Sequence, residues 1–206
     1  DNDNSPSTLD GTDFETQAIN SSTSQTFIFA NSSLAISLNS INSSSSQFTL
    51  SSVPTNLTSN GVADIYISKL DANGNFMWAK ALGGSEYDYP GDFKLDLTGN
   101  IVITGFFYGL VDFDPGPGVF TMTRKGGRDV FFLKLNSQGD FIWAKQVGGE
   151  YEDKGNNVFI DLSGNIYFTG SFGSSGGVDF DPGPGEYTLI PCWSDIFLLK
   201  LDASGN

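Results

Sequence analysis

The chain has 206 residues, a net charge of −14, no histidine and one cysteine. Its acidity sets it against nucleic acid phosphates and anionic membranes as partners. The missing histidine removes the usual general base and the commonest transition-metal ligand, and Cys192 alone makes neither an internal disulfide nor a cysteine zinc site.

Hydrophobic residues make up 38%, with 18 Phe and 25 Gly, which excludes global disorder and points to short strands joined by many turns. No apolar run is long enough to span a bilayer. The opening residues, DNDNSPSTLDGTDF, lack the basic start and apolar stretch of a signal peptide. Residues 1–60 are rich in Ser, Asn and Thr, yet apolar residues alternate with polar ones at 26–29, 34–38 and 47–50. Such alternation predicts half-buried strands between polar turns. Sequons begin at Asn20, Asn31, Asn42 and Asn56, as a Ser/Asn-rich stretch produces by chance. The text of residues 11–54, from GTDF through SQTFIFAN to QFTLSSVP, resembles the first half of a choice-of-anchor D type immunoglobulin-like domain. That resemblance implies half of a sandwich, which cannot bury its inner face alone and asks for strands from elsewhere.

From residue 61 onward the chain repeats. ADIYISKLDANGNFMWAKALGG (63–84), RDVFFLKLNSQGDFIWAKQVGG (128–149) and SDIFLLKLDASGN (194–206) align, with a period of 65–66 residues set by Asp64, Asp129 and Asp195. Between them FKLDLTGNIVITGFF (93–107) aligns with VFIDLSGNIYFTGSF (158–172), and each copy runs on to VDFDPGPG, at 111–118 and 178–185. Turns of the form Asp-x-x-Gly-Asn separate the strands. There the Asp or Asn side chain accepts backbone N–H groups and Gly supplies a left-handed position. Four strands per unit at this period predict β-propeller blades. The chain then holds half a blade (62–84), one complete blade (about 91–147) and three strands of another (155–202). It stops at LDASGN where a fourth strand should begin, so it cannot close a ring by itself. Over about 145 residues this text resembles the SBBP-type β-propeller repeats of secreted bacterial proteins. The expected fold is all-β: an immunoglobulin-like segment over 1–60, then propeller blades over 61–206.

Candidate chemistry centres first on Asp112, Asp114, Asp179 and Asp181. At i and i+2 of an extended segment both carboxylates point to one side. A calcium ion would neutralise them, with carbonyls of the Pro-Gly-Pro-Gly turn as further ligands. The alternative is a turn whose aspartates cap backbone N–H groups. Trp78 and Trp143 are expected to dock between blades, and Lys69, Lys80, Lys134, Lys145 and Lys200, recurring with the repeat, to pair with a neighbouring blade. Glu86 with Asp88, or Glu150 with Asp153, is a formal glycosidase pair that nothing in the spacing favours.

The resemblance implies a secreted or cell-surface bacterial location and no assured activity. The expected role is a non-catalytic structural or adhesive component, built with copies of itself or with the rest of a longer chain. A glycan- or protein-binding propeller and a polysaccharide-acting propeller enzyme are the alternatives. Calcium is the one candidate cofactor.

Overall fold

The computed structural model describes residues 25–31, 61–71 and 74–206. The expected strands at 34–38 and 47–50, and the sequons at Asn20, Asn42 and Asn56, lie outside the described residues. No helix occurs among those described, so none is long and apolar enough to cross a membrane. The expected all-β architecture is present.

The complete blade is an antiparallel meander of β4 (Asp88–Leu95), β5 (Ile101–Phe107), β8 (Asp129–Leu135) and β9 (Phe141–Val147), paired in that order. The next blade contains β10 (Lys154–Ile160), β11 (Ile166–Phe172) and β14 (Asp195–Leu201). The preceding blade contains β2 (Asp64–Leu70) and β3 (Phe76–Gly84). Here β1 (Gln25–Asn31) adds a strand. It pairs with β2 from Gln25↔Leu70 to Asn31↔Asp64, the register in which β5 meets β8 from Ile101↔Leu135 to Phe107↔Asp129. The strand that the sequence places in the immunoglobulin-like segment therefore shares a sheet with the repeats, in the second-strand position of the first blade.

Strand alternation explains how the blades stack. Odd-numbered residues of the central blade, Ile101, Ile103, Phe131, Leu133 and Leu135, join Ile65, Ile67 and Leu82 in one apolar core. Even-numbered ones, Val102, Val130 and Phe132, join Val158, Phe168 and Phe197 in a second. Every residue of β8 is buried, because a blade covered on both faces has no solvent side. Phe132 and Phe168 meet with ring centroids 4.3 Å apart.

At the inner strands the backbones themselves come together. A Cβ on Gly91 of β4 would collide with the carbonyl oxygen of Gly155 on β10, and a β-bulge falls at this same place in each blade. Glycine is required there because the two chains approach with no room for a side chain. One inter-blade hydrogen bond runs beside it, from the Val158 N–H to Asp92 Oδ2 at 3.1 Å.

The VDFDPGPG stretches form short hairpins between the second and third strands of a blade, as the repeat predicts: β6 (Leu110–Asp112) with β7 (Thr121–Thr123), and β12 (Val178–Asp179) with β13 (Thr188–Leu189). The first does more than protrude. β6 pairs with the end of β3, Gly83↔Asp112 and Gly84↔Val111, so a hairpin of one blade extends the sheet of the blade before it.

Candidate functional site

In each VDFDPGPG hairpin the apolar residues turn inward. Val111 and Phe113 are buried in the first inter-blade core, Val178 and Phe180 in the second. Phe113 packs edge-on against Phe107 at 5.3 Å, and Phe180 against Phe172 at 4.8 Å. The aspartates then fall on the other side and fasten the turn. Asp112 Oδ1 accepts the N–H groups of Asp114 (3.0 Å) and Phe120 (2.8 Å), and Asp114 Oδ1 accepts that of Gly116 (2.7 Å). Asp179 Oδ1 likewise accepts from Asp181 (2.9 Å) and Tyr187 (2.8 Å), and Asp181 Oδ1 from Gly183 (2.7 Å). The N–H groups of Tyr187 and Asp181 hold the Asp179 carboxyl below its usual range. This is the capping arrangement. Among the described residues no three His, Cys, Asp or Glu side chains converge to hold a metal ion.

A second acidic arrangement repeats at the blade junctions. Asp64 and Asp88 are 1% exposed, Asp129 and Asp153 0%. Asp64 and Asp129 begin the third-strand segments, and their carboxylates lie over Gly83 and Gly148, where any Cβ would collide with them. Asp88 and Asp153 belong to the first-strand region of the following blade. A parallel bridge brings the segments together, Ala63↔Tyr87 at one junction and Arg128↔Glu152 at the next.

Asp88 accepts N–H groups from Gly84 (2.7 Å) and Tyr108 (3.4 Å), and Asp153 from Gly149 (2.8 Å) and Gly173 (2.9 Å). Asp129 Oδ2 accepts from Lys125 N–H (3.0 Å) and Gln146 Nε2 (2.5 Å), while its Oδ1 has no hydrogen-bond partner. Burial pushes the Asp88 carboxyl up to about 7, and Asp64 and Glu86 nearby add to the rise against the backbone donors. Burial likewise lifts Asp153 to about 6, with Asp129 adding, and raises Asp129 itself. Sequence reading missed these pairs. Their signal was an aspartate 24 residues after the strand-opening aspartate in both repeats, 64 to 88 and 129 to 153.

The expected docking residues do dock. Trp143, 9% exposed, lies on Gly205 in the last turn of the next blade, and its Nε1 donates to Ala203 O at 3.4 Å. Trp78 lies in the same way on Gly139, whose φ is +80°, although its indole N–H has no partner. Lys69 Nζ donates to Ser137 O (2.7 Å) and Lys134 Nζ to Ala203 O (3.2 Å), each reaching the corresponding turn of the following blade. Lys134 also pairs with Asp96 at 3.0 Å. Burial would raise the Asp96 carboxyl, but Thr98, Asn100 and Lys134 outweigh it and hold the group well below its usual range. Lys80 pairs across the junction with Asp140 at 3.8 Å. Lys145 Nζ reaches Pro182 O at 3.5 Å, whereas Lys200 does not cross a junction and sits 5.5 Å from the ring centre of Tyr167 in its own blade. In the formal glycosidase pairs, Asp88 and Asp153 are shut off from solvent and held by backbone donors, and Glu150 accepts from the Ser175 hydroxyl.

A four-strand unit buried on both faces between neighbouring units of the same repeat makes this a protein of propeller-type blades. The family described as Beta-propeller repeat, SBBP, matches residues 142–171, so the chain carries an SBBP-type repeat. It is also 25% identical over 120 residues to an uncharacterized WD repeat-containing protein of Acanthamoeba polyphaga mimivirus. That match covers 57% of this chain and 9% of the viral protein's length.

Proposed function

We propose that the chain is a non-catalytic structural module of a secreted or cell-surface assembly, and that the open face of its last blade takes a further blade of the same kind. One observation carries this reading. Ile196 and Leu198 of β14 stand at the repeat positions of Val130 and Phe132 on β8. The latter pair is 0% exposed beneath the following blade, whereas Ile196 is 87% and Leu198 71% exposed. With Tyr187 and Leu189 they line one groove. A contiguous apolar face of this kind marks an interaction surface. The established inter-blade contact defines what fits it: a blade presenting the counterparts of Val158 and Phe168.

The source of that blade is either a second copy or the rest of a longer chain. Sedimentation velocity over a hundredfold concentration range tests the first. The expected result is reversible association, abolished by the double substitution Ile196→Asp, Leu198→Asp with the thermal melt unchanged. A wild-type chain that stays monomeric at every concentration removes self-association and leaves the longer chain as the source. Catalysis is not part of this reading, because the carboxylates that recur with the blades are committed to turns and junctions, and a catalytic constellation is unique rather than repeated.

A further inference from the structure

Repetition marks what the architecture needs, so a cluster that does not repeat calls for another explanation. The central blade has one. Tyr87 and Tyr89 at the start of β4 and Phe106 and Tyr108 at the end of β5 form a closed circuit of rings. Successive centroids are 6.3 Å (Tyr87 to Tyr89), 5.4 Å (Tyr89 to Phe106), 6.2 Å (Phe106 to Tyr108) and 6.3 Å (Tyr108 to Tyr87) apart. Both arginines of the chain flank it, Arg128 4.3 Å from the Phe106 ring centre and Arg124 6.0 Å from that of Tyr108. Tyr87 is 45% exposed. In the next repeat the same four positions hold Glu152, Lys154, Ser171 and Gly173. No blade-to-blade packing demands the circuit, since the following junction is sealed without it.

We infer that this circuit is a glycan-binding platform taking the apolar C–H faces of a neutral polysaccharide. Aromatic rings present a negative face to the weakly positive C–H groups of a pyranose, and tyrosine hydroxyls offer hydrogen bonds at the rim. A neutral ligand fits the charges on hand. Arg124 is already engaged by the carbonyls of Gly126 and Gly127, and Arg128 pairs with Glu152 at 3.3 Å, so neither guanidinium stands free for an anion. The net charge of −14 further disfavours a polyanion. The size fits a few sugar units. Tyr87 is exposed and Tyr89, Phe106 and Tyr108 are each partly buried, so the circuit offers on the order of 200–300 Å², well below the roughly 800 Å² per partner that a stable protein interface buries.

Retention on cellulose, chitin and xylan, with alginate as the anionic comparison, tests the proposal for the wild-type chain and three variants. Tyr87→Ala and Tyr89→Ala are expected to weaken retention about tenfold or more on the neutral polymer that binds. Trp193→Ala, which removes an exposed aromatic outside both the circuit and the docking groove, should retain as the wild type does. Thermal melts identify any variant that has lost its fold, and Tyr87 is exposed enough that its removal leaves the core intact. No retention on any neutral polymer, retention on alginate alone, retention unaffected by Tyr87→Ala, or an equal loss in Trp193→Ala would each overturn the assignment.

Discussion

At Asp88 and Asp153 burial lifts the carboxyl pKa to about 7 and about 6, against about 3.9 in an unfolded chain. The native state therefore binds protons that the unfolded chain releases, and their contribution to stability falls as pH rises from about 4 through 7. Asp96, held low by Thr98, Asn100 and Lys134, works in the opposite sense, and its contribution is lost only below about pH 4. The melting temperature is thus expected to be highest in mildly acidic buffer and to decline toward pH 8. Relief of the chain's net negative charge acts in the same direction, so Asp153→Asn separates the two effects by reducing the slope between pH 5 and 7. A melting temperature that climbs from pH 5 to pH 8 would refute this account. Gly139 offers a second test at this scale. Its φ of +80° and its contact with the Trp78 ring leave no room for a Cβ. Gly139→Ala should cost on the order of 1–3 kcal/mol in a urea titration, and a neutral result would show that the turn relaxes freely.

Among the elements, the β6–β7 hairpin has two separable parts: an apolar foot formed by Val111 and Phe113, and an Asp-capped tip. Phe113→Ala should destabilise by about 3–5 kcal/mol, the range for truncating a buried aromatic. Asp112→Ala, which removes one cap, should cost about 1 kcal/mol. With backbone N–H groups already on the carboxylates, a chelator is expected to leave the melt of the wild type unchanged. A fall on chelation would place an ion at Asp112, Asp114, Asp179 or Asp181. The turns were legible in the sequence because their chemistry is local. In DLTGN, Asp96 caps the N–H groups of Thr98 and Asn100, and Gly99 takes a φ of +80°, all within five residues. The pairing of β6 with β3 was not legible. It joins segments of different blades, and nothing in the period of either segment records which strand edge lies beside it.

Across the whole molecule, the strand count and the alternate burial of odd and even residues followed from the repeat, while the partner of β1 did not. QTFIFAN alternates as any half-buried strand does, and only its register with β2 shows it standing in a blade. The buried aspartate pairs escaped notice for a related reason. An acid repeated in each unit reads as a turn residue until the fold shows that two of them meet inside a junction. The exposure of Ile196 and Leu198 belongs to this scale as well, because each lies on a strand whose text matches the fully covered β8. Their reading as a docking face stands or falls with the sedimentation experiment.

The backward reach of the β6–β7 hairpin also gives the chain a direction in time. The edge of β3 that it covers ends at Gly84, and the strand that covers it begins at Leu110. A chain emerging N-terminus first thus exposes the outer edge of β3 only until the hairpin that follows β5 has been made. The central blade is then fastened to the one already in place, and contacts so close in sequence form early and at little loop-closure cost. The newly emerged β3 edge awaits its cover for only some tens of residues.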